Sequence, residues 1–147
     1  MTQLPTEFRE FLNILNSNQA DYILIGGYAI NIYGYSRPTG DIDIWVKMDY
    51  DNSLKIRQSL VDFGFDEKSI QSNFFTQKNK MLRIGFSPLR IELITTISGV
   101  DYDECFKNSI IQLLDGVEVR VISLQDLKKN KKASGRLKDL NDLENLE

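Results

Sequence analysis

The chain has 147 residues, 41% of them hydrophobic, a formal net charge of −3 and no histidine. Such a length and composition suit one domain spanning 1–147 with its own core, and the mild acidity argues against a surface built as a whole to bind nucleic acid. Without histidine there is no Ser-His-Asp or Cys-His nucleophile system, no His-ligated zinc and no imidazole base; chemistry is left to carboxylates, Lys/Arg, hydroxyls and a hard cation, magnesium or manganese, held by oxygen.

Leu4, Phe8, Phe11, Leu12 and Leu15 recur at helical spacing, which predicts a helix over 5–17 with Pro5 tolerated in its first turn. Tyr22-Ile23-Leu24-Ile25 reads as a short buried strand stopped by Gly26-Gly27, and Ala29, Ile30 and Ile32 predict a short helix ending near Gly34. Pro38 and Gly40 form a turn into a strand over 41–47. Leu54, Ile56, Leu60, Val61 and Phe63 mark a helix ending at Gly64, and the polar residues 66–79 predict a short helix or loop. The runs 81–86 and 89–94, parted by Ser87-Pro88, read as a hairpin in which Ile91 and Leu93 share one face and Arg90, Glu92 and Ile94 the other.

A helix over 102–109 would make the single cysteine, Cys105, a packing residue. Residues 117–122 predict a final alternating strand, and Ser123 caps a helix over 124–132 with Asp126 in its first turn. The last helix begins near Arg136 and carries Leu137, Leu140, Leu143 and Leu146 at three-residue steps. No repeat or linker interrupts the chain, no apolar run reaches bilayer-spanning length, and no basic-then-apolar leader opens it. The expectation is a cytoplasmic α+β domain, away from membranes, with a mixed, twisted sheet flanked by helices.

The segment 37–46, Arg-Pro-Thr-Gly-Asp-Ile-Asp-Ile-Trp-Val, carries the chemical signal. As a strand it has one aliphatic face, Ile42, Ile44 and Val46, and one bearing Asp41 and Asp43. Like charges on one face repel, and a divalent cation is the usual remedy. Glu92 joins them if its strand neighbours theirs, and two magnesium ions ~3.5–4 Å apart need about this many bridging carboxylates. Gly26-Gly27, opening a helix, offers backbone N–H groups to phosphates with no Cβ in the way.

Each piece alone has an ordinary reading. Asp-x-Asp is common by chance, Gly-Gly is a frequent strand-to-helix turn, and Glu92 or Arg37 suits a solvated surface. Lys128, Lys129, Lys131, Lys132, Arg136 and Lys138 form either a solvated helix face or a clamp on phosphates. Agreement of order, spacing and face favours a nucleotide–metal site. A phosphatase with Asp41 as nucleophile ranks lower, because Trp45 crowds the position where a small residue is expected and the Gly-Gly helix is left without a use.

At these residues the chain resembles the nucleotidyltransferase superfamily, of the DNA polymerase β-like fold, and more narrowly the small stand-alone bacterial branch allied to AbiEii-type toxins. Residues 22–35 are similar to that branch's first motif; Arg37, Thr39, Asp41 and Asp43 to its R-x-T-x-D-h-D motif. Residues 90–95 stand where the third carboxylate is placed, and 130–144 resemble its N-K-x-A-x-G-R-x-K-D-L-x-D-L-E tail. The resemblance implies a minimal nucleotidyltransferase fold that binds a nucleoside triphosphate such as ATP. Asp41, Asp43 and Glu92 would then be the catalytic and magnesium-binding groups, and Gly26, Gly27, Tyr28, Arg37, Thr39, Lys131 and Arg136 the nucleotide contacts. A nucleoside monophosphate would pass to a hydroxyl acceptor, left open among a tRNA end, a protein, an antibiotic and a small metabolite, in a toxin–antitoxin or defence setting. Two departures stand out: Gly-Gly-Tyr where Gly-Ser is common, and Glu92 where Asp is usual. They leave a rival reading, a catalytically degenerate nucleotide- or partner-binding module whose partner is an antitoxin or other helical protein.

Overall fold

The computed structural model of the chain describes residues 3–36 and 38–146; Arg37, expected at the phosphates, lies outside the described residues. Phe8, Phe11, Leu12 and Leu15 form one buried stripe along α1 (Thr6–Ser17). The strand β1 (Tyr22–Ile25) is buried throughout and runs directly into α2 (Gly26–Ile32). β2 (Asp41–Val46) then returns antiparallel to β1, with Ile42, Ile44 and Val46 fully buried.

α3 (Tyr50–Asp62) starts four residues before its first predicted apolar position, because Asp49 caps it by accepting from the Asn52 N–H at 2.7 Å. Asn52, itself buried, ties that helix start to the sheet through Asp21 (2.7 and 2.9 Å) and the Lys47 carbonyl (2.9 Å). Edge-to-face contacts of Phe8 with Tyr28 and of Phe11 with Phe63 join α1 to α2 and to the end of α3. The stretch 66–79 resolves into two 3-10 turns, Glu67–Ser69 and Phe74–Thr76, anchored by buried Phe75 and by Arg57, which donates to three carbonyls there.

The expected hairpin forms as β3 (Met81–Phe86) and β4 (Leu89–Ile94), and α4 (Tyr102–Asn108) buries Cys105. A strand that the periodicity did not reveal follows: β5 (Ile110–Leu114) pairs antiparallel with β6 (Val117–Val121). Its turn is Asp115-Gly116, with φ of 48° and 83°. This is the Asp-Gly signal of a two-residue hairpin, obscured because β5 is an edge strand whose Ile111 and Leu113 face solvent and break the alternation. The six-stranded sheet has the order β3-β4-β2-β1-β6-β5. β2–β4 and β1–β6 are parallel and the other pairs antiparallel, the mixed sheet expected.

α5 (Leu124–Ser134) is capped by Ser123 and stops at Gly135 in the left-handed region, and α6 (Leu137–Asn145) turns back beside it. Here the leucine stripe departs from expectation. Leu137 is 87% exposed and Leu140 40% exposed, whereas Asp139 and Asp142 are each 1% exposed. Nine residues at about 100° each put Leu137 and Leu146 on opposite sides of a helix, so three-residue steps do not make one face. The inward face instead delivers the two aspartates to buried Lys131, whose Nζ lies 2.8 Å from Asp139 and 3.4 Å from Asp142. Asp139 also accepts from Arg136 Nε at 2.7 Å and from the Ser134 hydroxyl, and these donors hold its carboxyl down at about 2 despite burial.

Replacing Asp139 by Ala should destabilise the fold by roughly 3 kcal/mol in denaturant titration, since it leaves buried Lys131 with Asp142 alone and breaks the α5–α6 joint. Leu137→Glu should stay within about 0.5 kcal/mol of the native chain, as a surface change does.

Candidate active site

Strand register assembles the charged face. Ile25 of β1 pairs with Asp43, which places the Gly26 turn beside that carboxylate. Across the parallel β2–β4 ladder Asp41 stands opposite Arg90 and Asp43 opposite Glu92; across β3–β4, Arg83 stands opposite Glu92. Paired residues share a face, so three carboxylates and two guanidinium groups lie together. Arg90 grips Asp41 with two hydrogen bonds of 3.2 Å, and Arg83 Nε donates to Glu92 Oε2 at 2.6 Å.

The glycine pair is demanded by close approach. Gly26 has φ +70°, and a Cβ there would overlap the Asp43 carboxylate; at Gly27 it would meet Thr39 Oγ1 at 2.5 Å. The start of α2 therefore sits directly on Asp43 and Thr39. Asp43 is the least comfortable group of the cluster. Burial raises its carboxyl to about 7, the Glu92 carboxylate beside it and Asp41 push the same way, and Lys138 pulls against them. Desolvation also acts to raise Glu92, but its hydrogen bonds with Asp43 and Arg83 outweigh that and leave it below its usual value. At neutral pH Glu92 is thus ionised while Asp43 is close to its midpoint.

One Asp43 oxygen, Oδ1, is buried without a hydrogen-bond partner among the described residues. Among those residues no three acidic side chains close into a ready-made metal cage; Asp41 is drawn onto Arg90 and Glu92 onto Arg83. An orphaned carboxylate oxygen beside a second carboxylate, with only oxygen donors around, nevertheless fits a hard divalent cation.

A two-lobed cleft opens over this face, its lobes meeting at Gly27, Asp43, Glu92 and Lys138. One lobe, about 390 Å³, reaches from Gly26 to Ser98, Asn130, Lys131, Ser134 and Arg136. The other, about 360 Å³, is walled by Thr39, Gly40, Asp41, Pro88 and Arg90. The structure thus gathers Asp41, Asp43, Glu92, Gly26, Gly27, Thr39, Lys131 and Arg136 around one cleft. Tyr28 is the exception: its ring is buried edge-on against Phe8, and it lines neither lobe. Lys131 lines the cleft with its charge already engaged by Asp139 and Asp142. Arg83 was not singled out in the sequence, Arg90 was read only as sharing the face of Glu92, and Lys138 only as one of the basic tail. Arg90 shares a face with Glu92 two residues on, but only the parallel register reveals that it meets Asp41.

The sequence model of the aminoglycoside-2''-adenylyltransferase family matches residues 7–146. No curated protein sequence matches the chain. Among solved structures it is similar to a protein of Thermotoga maritima assigned as a nucleotidyltransferase (TM-score 0.65, 15% identity, 94% of this chain and 88% of that one covered). It is also similar to the lincosamide antibiotic adenylyltransferase LnuA, solved with lincomycin bound (0.56, 13%, 99% and 97%). A third is an antigenic nucleotidyltransferase-like protein of Paracoccidioides brasiliensis (0.53, 16%, 92% and 72%). These likenesses establish the minimal nucleotidyltransferase fold; family membership rests on the sequence match.

Because the Asp43 carboxyl is raised from 3.8 to about 7, the folded metal-free protein holds a proton that the unfolded chain releases, and its contribution to stability fades as pH rises from about 4 through 7. Asp43→Asn should therefore raise the metal-free melting temperature by a few degrees at pH 8 and barely change it at pH 4. Gly26→Ala should lower it at every pH, by the cost of a left-handed alanine and of displacing Asp43.

Proposed function

We propose that this chain, which belongs to the aminoglycoside-2''-adenylyltransferase family, transfers a nucleoside monophosphate from a nucleoside triphosphate, ATP foremost, to a hydroxyl acceptor. The observation that carries this reading is Asp43, wedged between Gly26 and Glu92 with a buried oxygen lacking a partner among the described residues. Magnesium, or manganese, would be held by Asp43, Glu92 and Asp41, where it supplies neutralisation of phosphate charge and a lowered pKa for an attacking hydroxyl.

The chain's own groups account for the rest of the chemistry. The start of α2, bare of Cβ at Gly26 and Gly27, lets backbone N–H groups approach phosphate oxygens. Thr39, whose hydroxyl sits against Gly27, closes the other side of that approach. Glu92, kept ionised by Arg83, accepts the proton of the acceptor hydroxyl at a carboxylate oxygen. The hydroxyl oxygen attacks the α-phosphorus in line and the bond to pyrophosphate breaks. Arg136 and Lys138 offset the charge that leaves, with Lys131 as a fixed positive post behind them.

The finer placement, beside AbiEii-type toxins with an antitoxin or helical partner, is kept on the motif over 130–144 and on the exposed Leu137 and Leu140, which a partner helix would cover. Within it belongs the degenerate, non-catalytic module, favoured by Glu92 and by the glycine in place of the motif serine.

Calorimetric titration of the four nucleoside triphosphates with and without magnesium, into native protein and Asp43→Asn, separates these readings. Transfer chemistry requires cation-dependent binding that the substitution abolishes. Binding of equal strength in the variant, or no binding of any triphosphate, sinks the catalytic assignment.

A further inference from the structure

Two arginines lie on the carboxylates of the cleft, and they hold them differently. Arg83 Nε meets Glu92 Oε2 at 2.6 Å, and Arg83 lines neither lobe. Arg90 spreads its fork over both oxygens of Asp41, Nε to Oδ1 and Nη2 to Oδ2, each at 3.2 Å. Both bonds exceed the roughly 2.7–2.9 Å of a strong guanidinium–carboxylate contact. The Arg90 and Asp41 side chains are 31% and 30% exposed, and an ion pair so open to water is weak. Arg90 makes no other hydrogen bond among the described residues, and it lines the smaller lobe together with Gly27, Thr39 and Lys138.

Asp41 is one of the carboxylates assigned above to the cation. Its two oxygens are already covered by the Arg90 fork, and a guanidinium and a divalent cation beside one carboxylate repel each other. A guanidinium displaced from Asp41 keeps a planar fork that matches phosphate oxygens as well as it matched the carboxylate. The groups that share its lobe, the Gly27 turn, Thr39 and Lys138, are those assigned above to the phosphates. Arg83 has no such second partner to turn to, since it stands outside the cleft.

Resting on the nucleotidyl-transfer reading of this cleft, we propose that Arg90 is an exchangeable counter-ion, which holds Asp41 until that carboxylate turns to a divalent cation and then passes to the triphosphate. Cation and triphosphate then bind with positive linkage, because each draws Arg90 and Asp41 apart in the sense that the other requires. Arg83 stays on Glu92 and takes no part in the exchange.

The test is calorimetric. Manganese alone, and then α,β-methylene-ATP in saturating manganese, are titrated into the native chain, Arg90→Met and Arg83→Met, with circular dichroism to confirm each fold. Arg90→Met should bind manganese alone about threefold tighter or more, since Asp41 is no longer covered, and the analogue about tenfold more weakly or worse. Arg83→Met removes the same charge from the same face but not from the cleft lining, so its affinity for the analogue should stay within about threefold of native. Manganese binding that weakens or does not change in Arg90→Met makes Arg90 a holder of Asp41 and overturns the inference. It is overturned equally if Arg90→Met leaves the analogue's affinity unchanged, or if Arg83→Met lowers it as much. In all of these outcomes manganese-dependent binding of the analogue by the native protein leaves the transfer reading intact. Failure of the native protein to bind the analogue sinks that reading, and the inference with it.

Discussion

The parallel pairing of β2 with β4 is the constraint on which the rest of the molecule turns. It sets Asp43 opposite Glu92 and Asp41 opposite Arg90 on one sheet face, against the general rule that like charges do not face each other across a ladder. Two carboxylates so placed repel by an amount on the order of a few kcal/mol in partly buried surroundings. The chain offsets this in three ways. Arg83 and Arg90 lie across the outer carboxylates, Asp43 retains a proton near neutral pH, and the reverse face of β2 is wholly aliphatic and buried. The strand is held by its hydrophobic side and tolerates its charged side. That division of labour is expected where function opposes stability.

The same logic explains the C-terminal pair of helices. A terminal helix would ordinarily bury its leucines; α6 buries two aspartates and leaves Leu137 in water. The aspartates draw Lys131, Ser134 and Arg136 into one hydrogen-bonded unit beside the cleft. Such a network is a poor source of net stability compared with an apolar contact, but it fixes the register of α6 against α5. Register is what the cleft needs, because Arg136 and Lys138 reach it only when α6 begins where it does.

Taken together, the two regions give the cleft a graded electrostatic character. Its floor is acidic and short of counter-charge, which suits a divalent cation; its walls are basic, which suits phosphates. The scaffold that carries this cleft is shared with LnuA, a lincosamide antibiotic adenylyltransferase solved with lincomycin bound.

Much of this was open to reading in the chain itself. Local patterns specify local structure, so the α1 stripe, the β1–Gly26-Gly27–α2 transition, the two faces of β2 and the β3–β4 hairpin follow from period and turn chemistry alone. The absence of histidine and the Asp-x-Asp spacing narrowed the chemistry to carboxylates before any fold was known. β5 escaped because an edge strand with apolar residues on its open side does not alternate. The leucines of α6 misled because a three-residue step resembles a helical face without being one.

What only the tertiary structure decided is which distant residues meet. That Glu92 lies beside Asp43, that Arg90 holds Asp41, that Lys131 is engaged by Asp139 and Asp142, and that Tyr28 turns into the core all depend on strand register and helix docking. Sequence periodicity determines the face on which a side chain stands. The neighbour it finds there is chosen by long-range pairing, whose free energy is spread over the whole core and is written in no single segment.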